Sequence, residues 1–297
     1  MEVIMQITKL SEKAMLVKLT MRRANLTKRD TYAENMIQQQ LDDTSLIVNS
    51  KLFRDKANPI NKIMSAANEV YSEHKRRTLS WADKGPRVLP NSQYMEYTQI
   101  MRDKISQVDT MMQTYLPNYD TFVQQDIAYR SKAPNARAKT DDYPTVNEFQ
   151  AKMGFDLKFM PMPDKRHFLF DLSEDDEKAF DELMNDVQVA TRNETIEKML
   201  DPLAKLVDKL NTPIGADGAI FRDSAVENII EGIDIARKLT LDESPEVKQL
   251  TDELNREISK YAEHMNWLRE SPIVREQAAK KLSDIASQMS AFMGVPA

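Results

Sequence analysis

One stretch of this chain alternates like a β-sheet, whereas the rest repeats like helices. Residues 155–172 read FDLKFMPMPDKRHFLFDL. Phe155, Leu157 and Phe159 fall on one face at period two, and Phe168 and Phe170 resume the alternation after Pro161-Met162-Pro163-Asp164. This predicts a hairpin with strands near 155–160 and 167–172. The two prolines lack N–H donors and fix φ, so they belong in the connection rather than in a central strand. A lone two-stranded hairpin is marginal in water, so its Phe face must be covered or its edge extended. A third strand near 15–22 is available, because Met15, Val17, Leu19 and Met21 alternate with Leu16, Lys18, Thr20 and Arg22. A helix over 8–24 fits the same residues, and the pattern leaves both open.

Outside these strands the sequence predicts helices. Only six glycines occur in 297 residues, which argues against a loop-rich β architecture,. The expected fold is mainly α with a small antiparallel β-sheet, a helical bundle around a central hairpin. Residues 31–41 and 46–72 are rich in helix formers, with a restart at Asn58-Pro59,. Residues 78–91 read as an ordered loop anchored by Trp81, Val88 and Leu89,. Helices are predicted from Tyr94 to Leu116 and from Tyr119 to Tyr129, followed by a mobile loop over 131–144,. A Thr145/Glu148 capping box opens a short helix, and Ser173 caps a longer one that Pro202 should kink or restart,. The Gly-containing segment 212–221 divides the chain into a central domain, 1–211, and a C-terminal three-helix region, 222–297,. Starts for those three helices are written in as Ser224/Glu227, Ser244-Pro245 and Ser271-Pro272,. Their three- and four-residue apolar steps favour packing within the chain.

The missing chemistry is informative. No cysteine occurs, which removes disulfides, thiolate metal sites and cysteine nucleophiles,. Walker, dinucleotide and nucleophile-elbow motifs are absent, and the three histidines, His74, His167 and His264, form no zinc-binding pair,. The chain is therefore expected to be non-enzymatic, with no cofactor and no metal. An enzyme of unrecognised type would need a concave pocket with carboxylates, or His167, of shifted ionisation. No apolar run of about twenty residues offers a membrane span, so a cytoplasmic protein is expected,.

Two basic clusters stand out against a net charge of −6. Lys75, Arg76, Arg77, Lys84 and Arg87 form the first; Arg130, Lys132, Arg137 and Lys139 lie beside Tyr129 in the second. Cations next to an aromatic ring and a flexible backbone are what a single-stranded nucleic acid groove uses. Helix-end cations also complement the helix dipole, and an acidic protein disfavours wholesale wrapping by nucleic acid. Eighteen methionines supply adaptable apolar contacts and favour a protein-binding or self-assembling scaffold,. Single-stranded nucleic acid binding, in DNA replication or recombination, is the alternative.

The runs Asn49-Ser50-Lys51-Leu52-Phe53, Thr78-Leu79-Ser80-Trp81, Gly85-Pro86-Arg87-Val88-Leu89-Pro90, Tyr143-Pro144 and Phe159-Met160-Pro161 resemble a phage and bacterial family known only as a domain of unknown function. The resemblance covers roughly residues 10–210 and rests on loop and packing residues. Members of that family are often encoded near MoxR-type AAA ATPases and von Willebrand A-domain proteins. The resemblance thus implies an accessory or adaptor role, with an AAA ATPase as a partner, and assigns no catalytic residue.

Overall fold

The computed structural model describes residues 10–82, 85–132, 138–165, 173–213, 223–241, 245–263 and 265–293. The protein is mainly helical with a small antiparallel sheet, as its glycine-poor, periodic sequence predicts. It divides into two compact units. A bundle unit comprises Met1–Lys18, Lys75–Tyr97 and Lys158–Ala297, and a ribbon unit comprises Leu19–His74 and Thr98–Leu157. The division predicted at residues 212–221 falls on a segment that lies mostly outside the described residues, and helices on both sides of it share the bundle unit.

The strand reading of residues 15–22 holds. β1 (Ala14–Arg22) is an inner strand of a four-stranded sheet of order β4-β5-β1-β6, with β4 at Leu79–Ser80, β5 at Arg87–Pro90 and β6 at Gly154–Pro161. Ala14 and Leu16 are buried on one face and Val17 on the other, as an inner strand requires,. β1 pairs antiparallel with β5, Leu16 opposite Val88, and β4 pairs antiparallel with β5. Residues 78–91 are thus two short strands and not only a loop; two- and four-residue strands carry too few alternations to register in sequence,. β6 confirms the first arm of the predicted hairpin, and its neighbour in the sheet is β1. The second arm, 167–172, lies outside the described residues.

In the bundle unit, Ser173 accepts a hydrogen bond from the Asp176 N–H and opens a 38-residue helix, α6 (Glu174–Asn211). Pro202 sits inside α6 without ending it, so of the expected kink or restart the restart does not occur. The flanking Met199, Leu203 and Leu206 are buried in the bundle core, and that packing holds the helix through the proline,. α6 packs against α7 (Asp223–Leu239) and α10 (Pro272–Ser290), and α8 (Pro245–Glu263) packs against α7 and α10. A short α9 (Met265–Glu270) lies between α8 and α10, so the C-terminal region has four helices among the described residues rather than three. Ser271 caps α10 through the Val274 N–H, with Pro272 in the first turn, as its sequence predicts. Ser224 and Ser244 offer no test, since their side chains lie outside the described residues. Leu254, Ala278, Leu282 and Ile285 are fully buried, so the apolar seams close on one another within the chain,.

In the ribbon unit, the predicted helix over 46–72 begins only at Ile60. Asn49–Lys51 is instead a strand, β3, pairing antiparallel with β2 (Thr27–Arg29). Between them runs α1 (Thr31–Leu41), and α2 spans Ile60–Arg76. The early start fails because backbone donors in 49–54 are taken elsewhere. Leu52 N–H bonds to the Leu26 carbonyl, and Phe53 N–H bonds to the carboxylate of Asp126, 73 residues away in sequence. The expected helices α3 (Tyr94–Tyr115) and α4 (Tyr119–Arg130) are present, as is α5 (Val146–Ala151) behind the Thr145/Glu148 capping box. Phe53, Tyr115, Tyr119, Tyr143 and Phe149 pack ring on ring at centroid distances of 5.1–6.1 Å to form an aromatic core,.

Candidate protein-interaction surface

The two basic clusters belong to different units. In the bundle unit each described arginine of the first cluster meets a carboxylate: Arg76 meets Glu231 at 2.9 Å, Arg77 meets Glu96 at 2.9 Å and Arg87 meets Glu194 at 2.5 Å. Arg87 also donates to the Thr78 hydroxyl and carbonyl, which fills its fork,. The Lys75 carbonyl accepts from Lys198 at 2.8 Å. Lys84 lies outside the described residues. In the ribbon unit, Arg130 donates to the Tyr143 hydroxyl at 3.4 Å, Lys139 stands 4.0 Å from Asp141, and the Lys132 ammonium sits 5.5 Å from the half-exposed Tyr129 ring. Arg137 lies outside the described residues.

Glu194 and Lys198 line an open cleft of about 480 Å³ beside Ser80 and Arg87. Burial works to raise the Glu194 carboxyl, but the hydrogen bond from Ser80 and the charges of Arg87 and Lys198 hold it below the ordinary carboxylate range,. Burial lowers the Lys198 ammonium despite the attraction of Glu194. These shifts accompany a clamp that ties β4 and β5 to α6: Ser80 N–H and Arg87 both donate to Glu194. His167 lies outside the described residues, as does His264, and among the described residues no cluster suits a metal ion.

The surface that departs most from ordinary packing is α1. An amphipathic helix normally buries its apolar face. α1 buries Glu34, while Tyr32, Met36, Ile37 and Leu41 face outward at 41, 54, 37 and 63% exposure. Ile47, in the return to β3, is 64% exposed. The inversion is held by polar latches. Arg29, at the end of β2, donates to Glu34 from Nε at 2.8 Å and from Nη2 at 2.5 Å. That bond holds the Glu34 carboxyl below the ordinary carboxylate range, against an opposing effect of burial. Asp30 caps α1 through the Ala33 N–H and accepts from the Ser50 hydroxyl of β3. Gln38 donates from Nε2 to the carbonyls of Leu46 and Thr44, at 2.7 and 3.1 Å. Asp42, in the left-handed conformation, closes the helix with its N–H on the Gln38 carbonyl,.

A second polar platform lies at the return from β3. Asp126, 1% exposed, accepts from Phe53 N–H at 2.9 Å, Arg54 N–H at 2.7 Å and the Tyr143 hydroxyl at 2.6 Å. Phe53 has a positive φ of 51°, unfavourable for a bulky residue, and these bonds together with its ring contacts hold it there,. Burial first, then the bond to Asp126, pushes the Tyr143 hydroxyl up to about 12.

Sequence reasoning singled out cations and passed over α1. One signal was available: TYAENMIQQQL carries a single charged side chain, so its apolar arc has no charged face opposite to mark an outside. Compared with protein-family models, curated proteins and solved structures, the chain matches none.

Proposed function

We propose that this protein is a non-enzymatic adaptor or scaffold that acts by docking an apolar protein surface on the exposed apolar side chains of α1. The observation that carries the reading is the inverted helix, with Glu34 inside and Tyr32, Met36, Ile37 and Leu41 outside. Apolar patches of this kind mark interaction sites, and interface cores are enriched in Tyr and Met and depleted of charge. The pairing of Arg76, Arg77 and Arg87 with carboxylates supports protein docking over phosphate binding at the first basic cluster. The family resemblance adds an AAA ATPase as a partner to try first, in a phage or bacterial setting. The test compares pull-downs by wild type and by Met36→Asp with Leu41→Asp. Partner retention should be lost in the variant with the far-UV circular dichroism unchanged, and equal retention would overturn the reading.

A second reading, single-stranded nucleic acid binding, has one observation in its favour. Tyr129 is half-exposed with the Lys132 ammonium over its ring and Arg130 next in sequence, a small stacking platform beside cations,. Fluorescence anisotropy with a labelled oligonucleotide should then show binding that weakens steeply with salt and drops on Tyr129→Ala. No binding at low salt would eliminate it.

A further inference from the structure

We propose that the cleft between the β4–β5 strands and α6 is a ligand site, in which the Lys198 amine forms a reversible imine with a small aldehyde or ketone that carries a carboxylate. The site shares no residue with the docking surface on α1, so the two readings stand or fall separately.

The first argument is the shape and lining of the cleft. At about 480 Å³ it has the volume of a small-ligand site,. Polar groups from four elements converge on it: Lys75 at the end of α2, Ser80 of β4, Arg87 of β5, and Glu194, Glu197 and Lys198 of α6. A concave pocket holding a carboxylate of shifted ionisation is what a site without a sequence motif requires, and Glu194 is such a carboxylate,.

The second argument is the hydrogen bonding of Lys198. Its side chain is 20% exposed, and Nζ donates to the Lys75 carbonyl at 2.8 Å and stands 3.3 Å from Oε1 of Glu194. A neutral amine has two N–H bonds and one lone pair. These two acceptors take both N–H bonds, which leaves the lone pair for a ligand in the cleft. Arg87 already holds the same Glu194 oxygen at 2.5 Å, and the Ser80 N–H holds the other. Lys198 therefore has only second place on a carboxylate whose charge is already answered.

The third argument is charge. Burial, together with the like charges of Arg87 and Lys75, lowers the Lys198 ammonium and outweighs the attraction of Glu194,. A lysine becomes a nucleophile in this way, desolvated and beside another cation. Lys75 is exposed at the cleft and offers a counter-charge to a carboxylate on the ligand, and Glu197, also exposed there, supplies a base. In the step itself the amine lone pair forms the C–N bond. The two amine protons leave with the carbonyl oxygen as water, carried by Glu197, and no oxidant or reductant is needed.

Glyoxylate with cyanoborohydride, which reduces the imine to a stable secondary amine, is applied in limiting amount to the full-length protein, and each lysine is read by peptide mass spectrometry. Lys198 should be modified at least about tenfold faster than Lys178 and Lys205, exposed lysines of the same helix, because its amine is already in place,. Its rate should also reach half of its maximum at a lower pH than theirs. In urea the three rates should become equal. Lys75→Gln should reduce the preference of Lys198 for glyoxylate over acetaldehyde, and Glu197→Gln should slow its modification several-fold. Equal rates at the three lysines of the folded protein would overturn the site, and so would a Lys198 preference that survives urea. A glyoxylate preference untouched by Lys75→Gln would overturn the carboxylate on the ligand, and a rate untouched by Glu197→Gln would overturn Glu197 as the base.

Discussion

α8 and α1 both carry large apolar side chains at helical spacings, and they are used in opposite ways. α8 turns Leu250, Leu254, Ile258 and Tyr261 into the bundle core and leaves Lys248, Gln249 and Asp252 toward water. α1 turns Glu34 inward and leaves Tyr32, Met36, Ile37 and Leu41 toward water. The difference lies in what each helix meets. α8 meets apolar stripes on α7 and α10, whereas α1 and its cap Asp30 are bonded to the side chains of Arg29 and Ser50 and to the backbone carbonyls of Thr44 and Leu46. An amphipathic pattern therefore says which face is apolar, and the neighbours decide which face is buried.

The sharpest way to break this comparison is a matched pair of truncations. Leu254→Ala should cost about 3 kcal/mol, since Leu254 is fully buried in the bundle,. Leu41→Ala should change monomer stability by less than about 0.5 kcal/mol, as exposed substitutions do. Both tryptophans, Trp81 and Trp267, belong to the bundle unit, so urea unfolding followed by tryptophan fluorescence reads the first change directly. An equal loss from the two truncations would mean that α1 packs like any bundle helix.

Asp126→Asn comes next in size and tests the polar platform. An amide nitrogen cannot accept, so at least one of the Phe53, Arg54 and Tyr143 donors loses its partner, at roughly 2 kcal/mol,. Amide hydrogen exchange should show lost protection at Phe53 and Arg54, with the bundle unit unaffected. Unchanged protection there would remove Asp126 as the anchor.

The smallest effect separates the regions by pH. The Glu34 carboxyl is held below its ordinary value, so its latch contributes fully above the unfolded carboxylate pKa. That contribution is lost as pH falls from there through the lowered folded value,. The bundle unit has lowered carboxyls of its own at Glu194 and Asp234, but neither belongs to the apolar cluster around Leu254 and Leu282. An NMR titration should show Glu34 protonating below the ordinary carboxylate range and the α1 amides broadening as it does. Resonances of Leu254 and Leu282 should stay put.

Where local chemistry sufficed, the sequence was legible. The Ser173 and Ser271 caps and the Thr145/Glu148 capping box each join residues three apart, and all three form. β1 alternates over nine residues and is a strand, whereas β2 reads Thr-Lys-Arg and β3 reads Asn-Ser-Lys, with no apolar residue to alternate. Of the candidate site, the cations were visible and their neutralisation was not, because Arg87 meets Glu194 across 107 residues and Arg76 meets Glu231 across 155.

By itself the sequence determined the helical class, most helix starts and the apolar faces, all set by backbone hydrogen bonds and side-chain periods within a few residues. Tertiary structure alone decided that residues 46–59 would not be helix, that Pro202 would be carried through and that α1 would face outward. Each of those outcomes depends on a partner that sequence spacing does not reveal: Asp126 for Phe53, the bundle core for α6, and Arg29 with the carbonyls of the return loop for α1. Burial free energy depends on what lies on the other side of a side chain, and only the folded chain supplies that.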